Sequence, residues 1–178
     1  MFSKALIIAL AMRLGASAAP TSVAEPTAGS LVGRYVPYQR FTGDGSHWSS
    51  MSAWTSFDTM WDNSQAFMTT SCTQFGGTAN NSPAEIADIK YAISSISGSS
   101  GIDPRFILAI IMQESGASII AGMIRDGSTG TLGQPGGGDG LQQCLAQSGS
   151  PYSAQGAYVA ARIYNSGSYA WGTDLGTP

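Results

Sequence analysis

From Trp48 onward apolar side chains recur at spacings of three and four: Trp48, Met51, Trp54, Phe57, Met60 and Trp61, then Phe67 and Met68. That rhythm predicts an amphipathic helix across this stretch, with the aromatics turned into a core; a sugar-stacking platform is the other use of the same side chains. A second stripe, Ile86, Ile89, Ile93 and Ile96, follows Ser82-Pro83-Ala84-Glu85. Here Ser82 caps the backbone, Pro83 suits the first helical position and Glu85 completes a capping box. Gly98 to Gly101 ends this helix, and Asp103-Pro104 opens a third by the same logic. Its body, Phe106 to Met112, is apolar on every side and is predicted to pass through the centre of the core. A last helix is expected from Tyr152 to Tyr164, stopped by Asn165-Ser166-Gly167. Between Gly116 and Gly140 the chain is dominated by Gly, Ser, Thr and Pro apart from Ile119 to Ile124, which predicts mostly loop. With no alternating strand pattern, repeat or heptad, the fold class is mainly α.

Composition adds a boundary at each end of this picture. Residues 1–19 combine Lys4, a short apolar run and an A-x-A arrangement at Ala16 to Ala18, and read as a secretory signal peptide despite Arg13. Residues 20–45 are rich in Pro, Gly, Ser, Thr and Ala without periodicity, as in a propeptide or flexible linker. One globular domain is then expected over 46–178, and no other stretch is apolar enough to span a membrane. Removal of 1–19 leaves six Lys and Arg against eleven Asp and Glu. That negative balance argues against nucleic acid as a partner. Only 11% of residues are charged, a balance suited to an extracellular protein handling neutral or polar polymers. The expectation is a secreted monomer.

Two cysteines in a secreted chain predict a disulfide between Cys72 and Cys144, which would contribute roughly 4 kcal/mol by closing a long loop. They cannot build a zinc site with His47 so distant in sequence, and neither metal nor cofactor is expected. Asn80-Asn81-Ser82 matches the acceptor pattern for N-glycosylation at Asn80 and implies an exposed loop before the second helix.

The most informative acidic residue is Glu114. It follows Ile107 by seven residues, Ile110 by four and Ile111 by three, so it is expected on the face of core residues, partly desolvated. Burial and the negative end of the helix would both raise its pKa. A carboxyl still protonated near neutral pH can hand a proton to a glycosidic oxygen. A solvent-facing glutamate at a frayed helix end is the other reading of this spacing.

Three segments carry a resemblance. Ile110-Ile-Met-Gln-Glu-Ser-Gly116 resembles the Glu-Ser motif of the lysozyme-like superfamily that includes soluble lytic transglycosylases and goose-type lysozymes. Gly140-Leu-Gln-Gln143 is similar to its Gly-Leu-x-Gln motif, and Ala161-Arg-Ile-Tyr-Asn-Ser-Gly167 to its Ala-x-x-Tyr-Asn-x-Gly motif. The order is that of the superfamily, and Trp54 to Ser168 looks like its secreted fungal members. The resemblance implies a lysozyme-like fold and cleavage of a β-1,4-linked amino-sugar polymer, peptidoglycan or a chitin-like glycan, with Glu114 as general acid and then base. It further implies that Ser115 fixes local geometry, that Gln143 lines the sugar cleft, and that Tyr164 and Asn165 support the glutamate and the reacting sugar. Read without the resemblance, Gln143 is a surface residue, Tyr164 a core aromatic and Asn165 a helix C-cap, and these alternatives stay open at this point. Asp126 and Asp139 are further candidates for positioning a water. Two other functions fit the same residues: a lysozyme-like domain that binds glycan without cutting it, and a secreted structural or host-interaction protein.

Overall fold

The computed structural model describes residues 41–74, 79–115, 121–134 and 137–176. The signal-peptide reading of 1–19 and most of the linker reading of 20–45 lie outside them. Among the described residues the secondary structure is helical and contains no strand. None of these helices is long and apolar enough to cross a membrane.

The first predicted helix starts nine residues later than its periodicity suggests. Helix α1 spans Phe57–Met68, where the Ser56 hydroxyl accepts the Thr59 backbone N–H at 3.2 Å. Upstream, only Met51–Ala53 forms a single 3₁₀ turn. Trp48 and Trp54 therefore belong to an irregular strap, and serines at 49, 50, 52 and 56 offer the backbone competing turns and caps. The aromatics are nevertheless core-facing. Trp48 packs between Phe41 and Tyr158, at centroid distances of 5.3 and 5.0 Å, and Trp54 is buried with its indole N–H directed to the Tyr158 hydroxyl at 3.0 Å. Tyr158 in turn donates to the Ser49 carbonyl at 2.6 Å. The folded body also reaches back into the expected linker. Leu175 N–H donates to the Gly43 carbonyl at 2.9 Å, and Gly43 N–H to the Asp174 carboxylate at 3.0 Å, so 41–45 is clasped by the C-terminal tail.

After the short α2 (Ser71–Gln74), α3 spans Pro83–Ser100, with both hydrogen bonds of the N-terminal capping box between Ser82 and Glu85 formed and Gly101 closing the other end in a left-handed conformation. Ile86, Ile89, Ile93 and Ile96 are its buried stripe. Helix α4, Pro104–Ser115, is fully buried from Phe106 to Ile111 and packs against α1, α3 and α5. Its entry is held by Arg105, whose guanidinium forks onto Asp103 (Nη2–Oδ2 2.6 Å, Nε–Oδ1 2.9 Å), donates to the Met51 carbonyl at 2.9 Å and lies 5.0 Å over the Trp54 ring.

The segment expected to be loop contains a helix, α5, at Ala121–Thr129. Its apolar content is small, but Ile124 and Ser128 are buried, and the helix packs on α3, α4 and α6, so tertiary contact outweighs weak local propensity. A further short helix, α6 (Leu141–Gln147), precedes α7 (Ala154–Ser166), and the two pack closely. From Gly156 to Ala161 every residue of α7 is buried. The small side chains of that run permit the close approach.

Candidate active site

Glu114 lies in the last turn of α4, where burial falls away: Ile111 is buried, Met112 and Gln113 are half-buried and Glu114 is exposed. This corrects the expectation of a partly desolvated carboxyl. The azimuth read from Ile107, Ile110 and Ile111 is that of a core face, but the helix runs past the edge of the core before Glu114, so the same face ends in water. Ser115 closes the helix, and its side chain lies outside the described residues.

Helix α7 supplies Tyr164 and Asn165. Tyr164 packs against the core and its phenol is held above its ordinary pKa, first by burial and then by the negative charge of Glu114, with a smaller effect from Cys144. Tyr164 is thus within electrostatic reach of Glu114, although fifty positions separate them in sequence. Asn165 is inside α7, not its cap; Gly167, in the left-handed region at φ 81°, takes that role and donates its N–H to Ile163. The Asn165 side-chain oxygen is buried and accepts no hydrogen bond from the described residues. Such a group costs roughly 1–3 kcal/mol, and functional positions are where such costs tend to be kept.

Gln143 is engaged differently from the cleft-lining role that the resemblance implies. Its side-chain oxygen accepts the Gly140 N–H at 2.9 Å and its nitrogen donates to the Thr129 carbonyl at 2.9 Å. Both ends of the amide are bound to backbone, joining the end of α5 to the start of α6 across the glycine-rich turn. That junction is tight: a Cβ on Gly140 would stand 2.3 Å from the Gly130 nitrogen. Of the two loop carboxylates, Asp139 accepts from the Gln147 amide at 2.5 Å, and Asp126, in α5, pairs with Arg125 at 3.5 Å.

The expected Cys72–Cys144 disulfide is not formed, because Cys144 carries a free thiol, 1% exposed, on the inward face of α6 with Leu141 and Leu145. It packs there as a small hydrophobe. Burial, followed by the charge of Asp139, pushes its pKa up to about 11. The Cys72 side chain lies outside the described residues. Asn80 is half-buried, and its amide nitrogen donates to the Thr73 hydroxyl at 3.1 Å while its oxygen accepts the Thr73 N–H at 3.0 Å, so the glycosylation candidate is hydrogen-bonded through both atoms. His47 is exposed.

One residue beside the site escaped the sequence reading. Gly127, in α5, has the Tyr164 hydroxyl 3.1 Å from the position a Cβ would take. The signal for it was slight, a glycine inside a run already rich in glycine.

The motif residues are therefore distributed over the ends of three helices: Glu114 at the end of α4, Gln143 at the start of α6, and Tyr164 and Asn165 near the end of α7. Glu114 and Tyr164 interact electrostatically, while Gln143 braces the adjoining turn. The chain matches no protein-family model, no curated protein and no solved structure.

Proposed function

We propose that this chain is a secreted glycan-cleaving domain of lysozyme-like fold, acting on a β-1,4-linked amino-sugar polymer with Glu114 as its acid. The observation that supports the reading is the placement of the motif residues at helix ends, with Glu114 exposed in the last turn of α4 and Tyr164 near the end of α7, its phenol raised above its ordinary pKa by burial and then by the charge of Glu114. Exposure of Glu114 makes it accessible to a polymer too large to enter a closed cavity. In the proposed reaction the protonated Glu114 gives its proton to the glycosidic oxygen as the sugar–oxygen bond breaks. The resulting carboxylate then takes a proton from the attacking hydroxyl, which belongs either to water or to the 6-position of the same sugar. Water leaves a reducing end; the 6-hydroxyl leaves a 1,6-anhydro ring, lighter by one water.

A second reading, glycan binding without cleavage, is favoured by two observations. Glu114 is exposed at the end of α4 and not enclosed among apolar side chains, and Gln143 spends its amide on backbone. Peptidoglycan suspensions separate the two. The enzyme reading expects clearing by the native chain, loss of clearing in Glu114→Gln, retained sedimentation of that variant with the wall, and a product mass assigning the attacking hydroxyl. Sedimentation without clearing by the native chain would establish the binder, and neither would remove both readings.

A further inference from the structure

The contact between α5 and α7 is made at a glycine, and the surroundings of that glycine are specific. A Cβ built on Gly127 would meet the Tyr164 hydroxyl oxygen at 3.1 Å, with no other described atom within 4 Å apart from its two chain neighbours and its own helix backbone. Gly98, also helical, would meet nothing within 4 Å. Gly127 has no positive φ that would require glycine; the positions that do include Gly130 and Gly133, just beyond the helix. In a helix interior alanine is the better residue, and glycine weakens α5. What glycine provides at 127 is room for one oxygen atom.

We infer that Gly127 is a positioning residue, whose missing side chain creates the niche in which the Tyr164 hydroxyl is held at the site. The inference rests on the reading of Glu114 and Tyr164 as site residues for its catalytic consequence, though not for the contact itself. A 3.1 Å approach is closer than carbon and oxygen tolerate comfortably, so a methyl group at 127 displaces the phenol by a few tenths of an ångström or forces α5 away. A displaced phenol changes its burial and its exposure to the charge of Glu114, the two influences that raise its pKa. In either case the effect depends on the Tyr164 hydroxyl, the atom that the methyl group would meet.

The test is a cycle of Gly127→Ala and Tyr164→Phe, singly and together, with Gly98→Ala as the control helix substitution. Tyr164 ring signals, assigned by their loss in Tyr164→Phe, are followed by NMR through the phenol titration. Gly127→Ala is expected to move those signals and shift the titration, and to lower the melting midpoint when the hydroxyl is present. With Phe at 164 the same alanine should raise the midpoint, as Gly98→Ala does in either background. On glycan, Gly127→Ala should lower kcat severalfold with Tyr at 164 and add nothing with Phe. An unmoved Tyr164 titration, or the same change in midpoint in both backgrounds, would overturn the inference. If the native chain leaves glycan intact, the functional reading fails while the titration and the melting cycle still decide the role of Gly127.

Discussion

Gln143 donates its side-chain N–H to the Thr129 carbonyl at 2.9 Å while accepting the Gly140 N–H at the same distance, so one amide closes the turn between α5 and α6. The bond satisfies a carbonyl at the end of α5 and an N–H at the start of α6, both of which a helix leaves without an intrahelical partner. Gln143→Leu removes donor and acceptor together. Each half-buried group left behind costs about 1 kcal/mol or more, so the substitution is expected to destabilise the fold by about 2–3 kcal/mol in urea unfolding. Glu at this position keeps the acceptor for Gly140 but presents an oxygen to the Thr129 carbonyl, and it should recover less than half of the loss. A residue used chiefly to contact sugar would show the reverse: unchanged unfolding and weakened glycan binding.

Arg105 anchors the strap to α4. Its fork onto Asp103, its bond to the Met51 carbonyl and its position over Trp54 are made by one guanidinium, with the two charged side chains only 20% and 19% exposed. Lysine retains the charge but neither the planar fork nor the stacking. Arg105→Ala is expected to cost about 2–4 kcal/mol, because it also leaves the Asp103 carboxylate partly buried without its partner. Arg105→Lys should restore only part of that. Chemical denaturation of the two variants checks the order; equal stability of Lys and Arg would show that charge alone matters.

Cys144 makes the stability dependent on alkaline pH. Its thiol ionises at about 11 in the fold, against 9.0 as the ordinary value, because burial disfavours the thiolate. The folded state therefore holds its proton more tightly than the unfolded chain. The corresponding stability is fully present below pH 9 and is lost as pH rises from 9 through 11, amounting to up to ~3 kcal/mol at 1.36 kcal/mol per pH unit. In a Cys72→Ser background, further replacement by Cys144→Ala should flatten this part of the pH–stability curve. The native Cys144 thiol should also resist a disulfide-exchange reagent at neutral pH until the chain unfolds. Rapid modification of the folded protein would contradict its burial.

Much of the helical framework is legible in the order of residues. The capping box at Ser82 and Glu85, the isoleucine stripe of α3, the apolar body of α4 and the glycine stop after Asn165-Ser166 are local patterns with local causes, and each marks a helix that forms. Core placement of Trp48 and Trp54 was legible as well, though not the strap that delivers them. Periodicity records which side chains face inward and is silent on whether the intervening backbone is helical. The polar sequence of α5 hid a helix for the complementary reason, since its stability comes from the neighbours it packs on and not from an apolar stripe of its own.

By itself the sequence determined the helical class, the central position of α4 and the identity of a carboxyl at its end, because these depend on contacts within a few turns of chain. Only the tertiary structure decided the rest. Glu114 emerges into solvent because the core ends beneath it, Cys144 remains a free buried thiol, and the Gln143 amide is consumed by two backbone groups. The Tyr164 hydroxyl lies beside Gly127 of α5, and its phenol feels the charge of Glu114 from α4, although the three residues come from different helices. Burial, charge and close approach are properties of neighbours distant in sequence, and spacing along one helix cannot supply them.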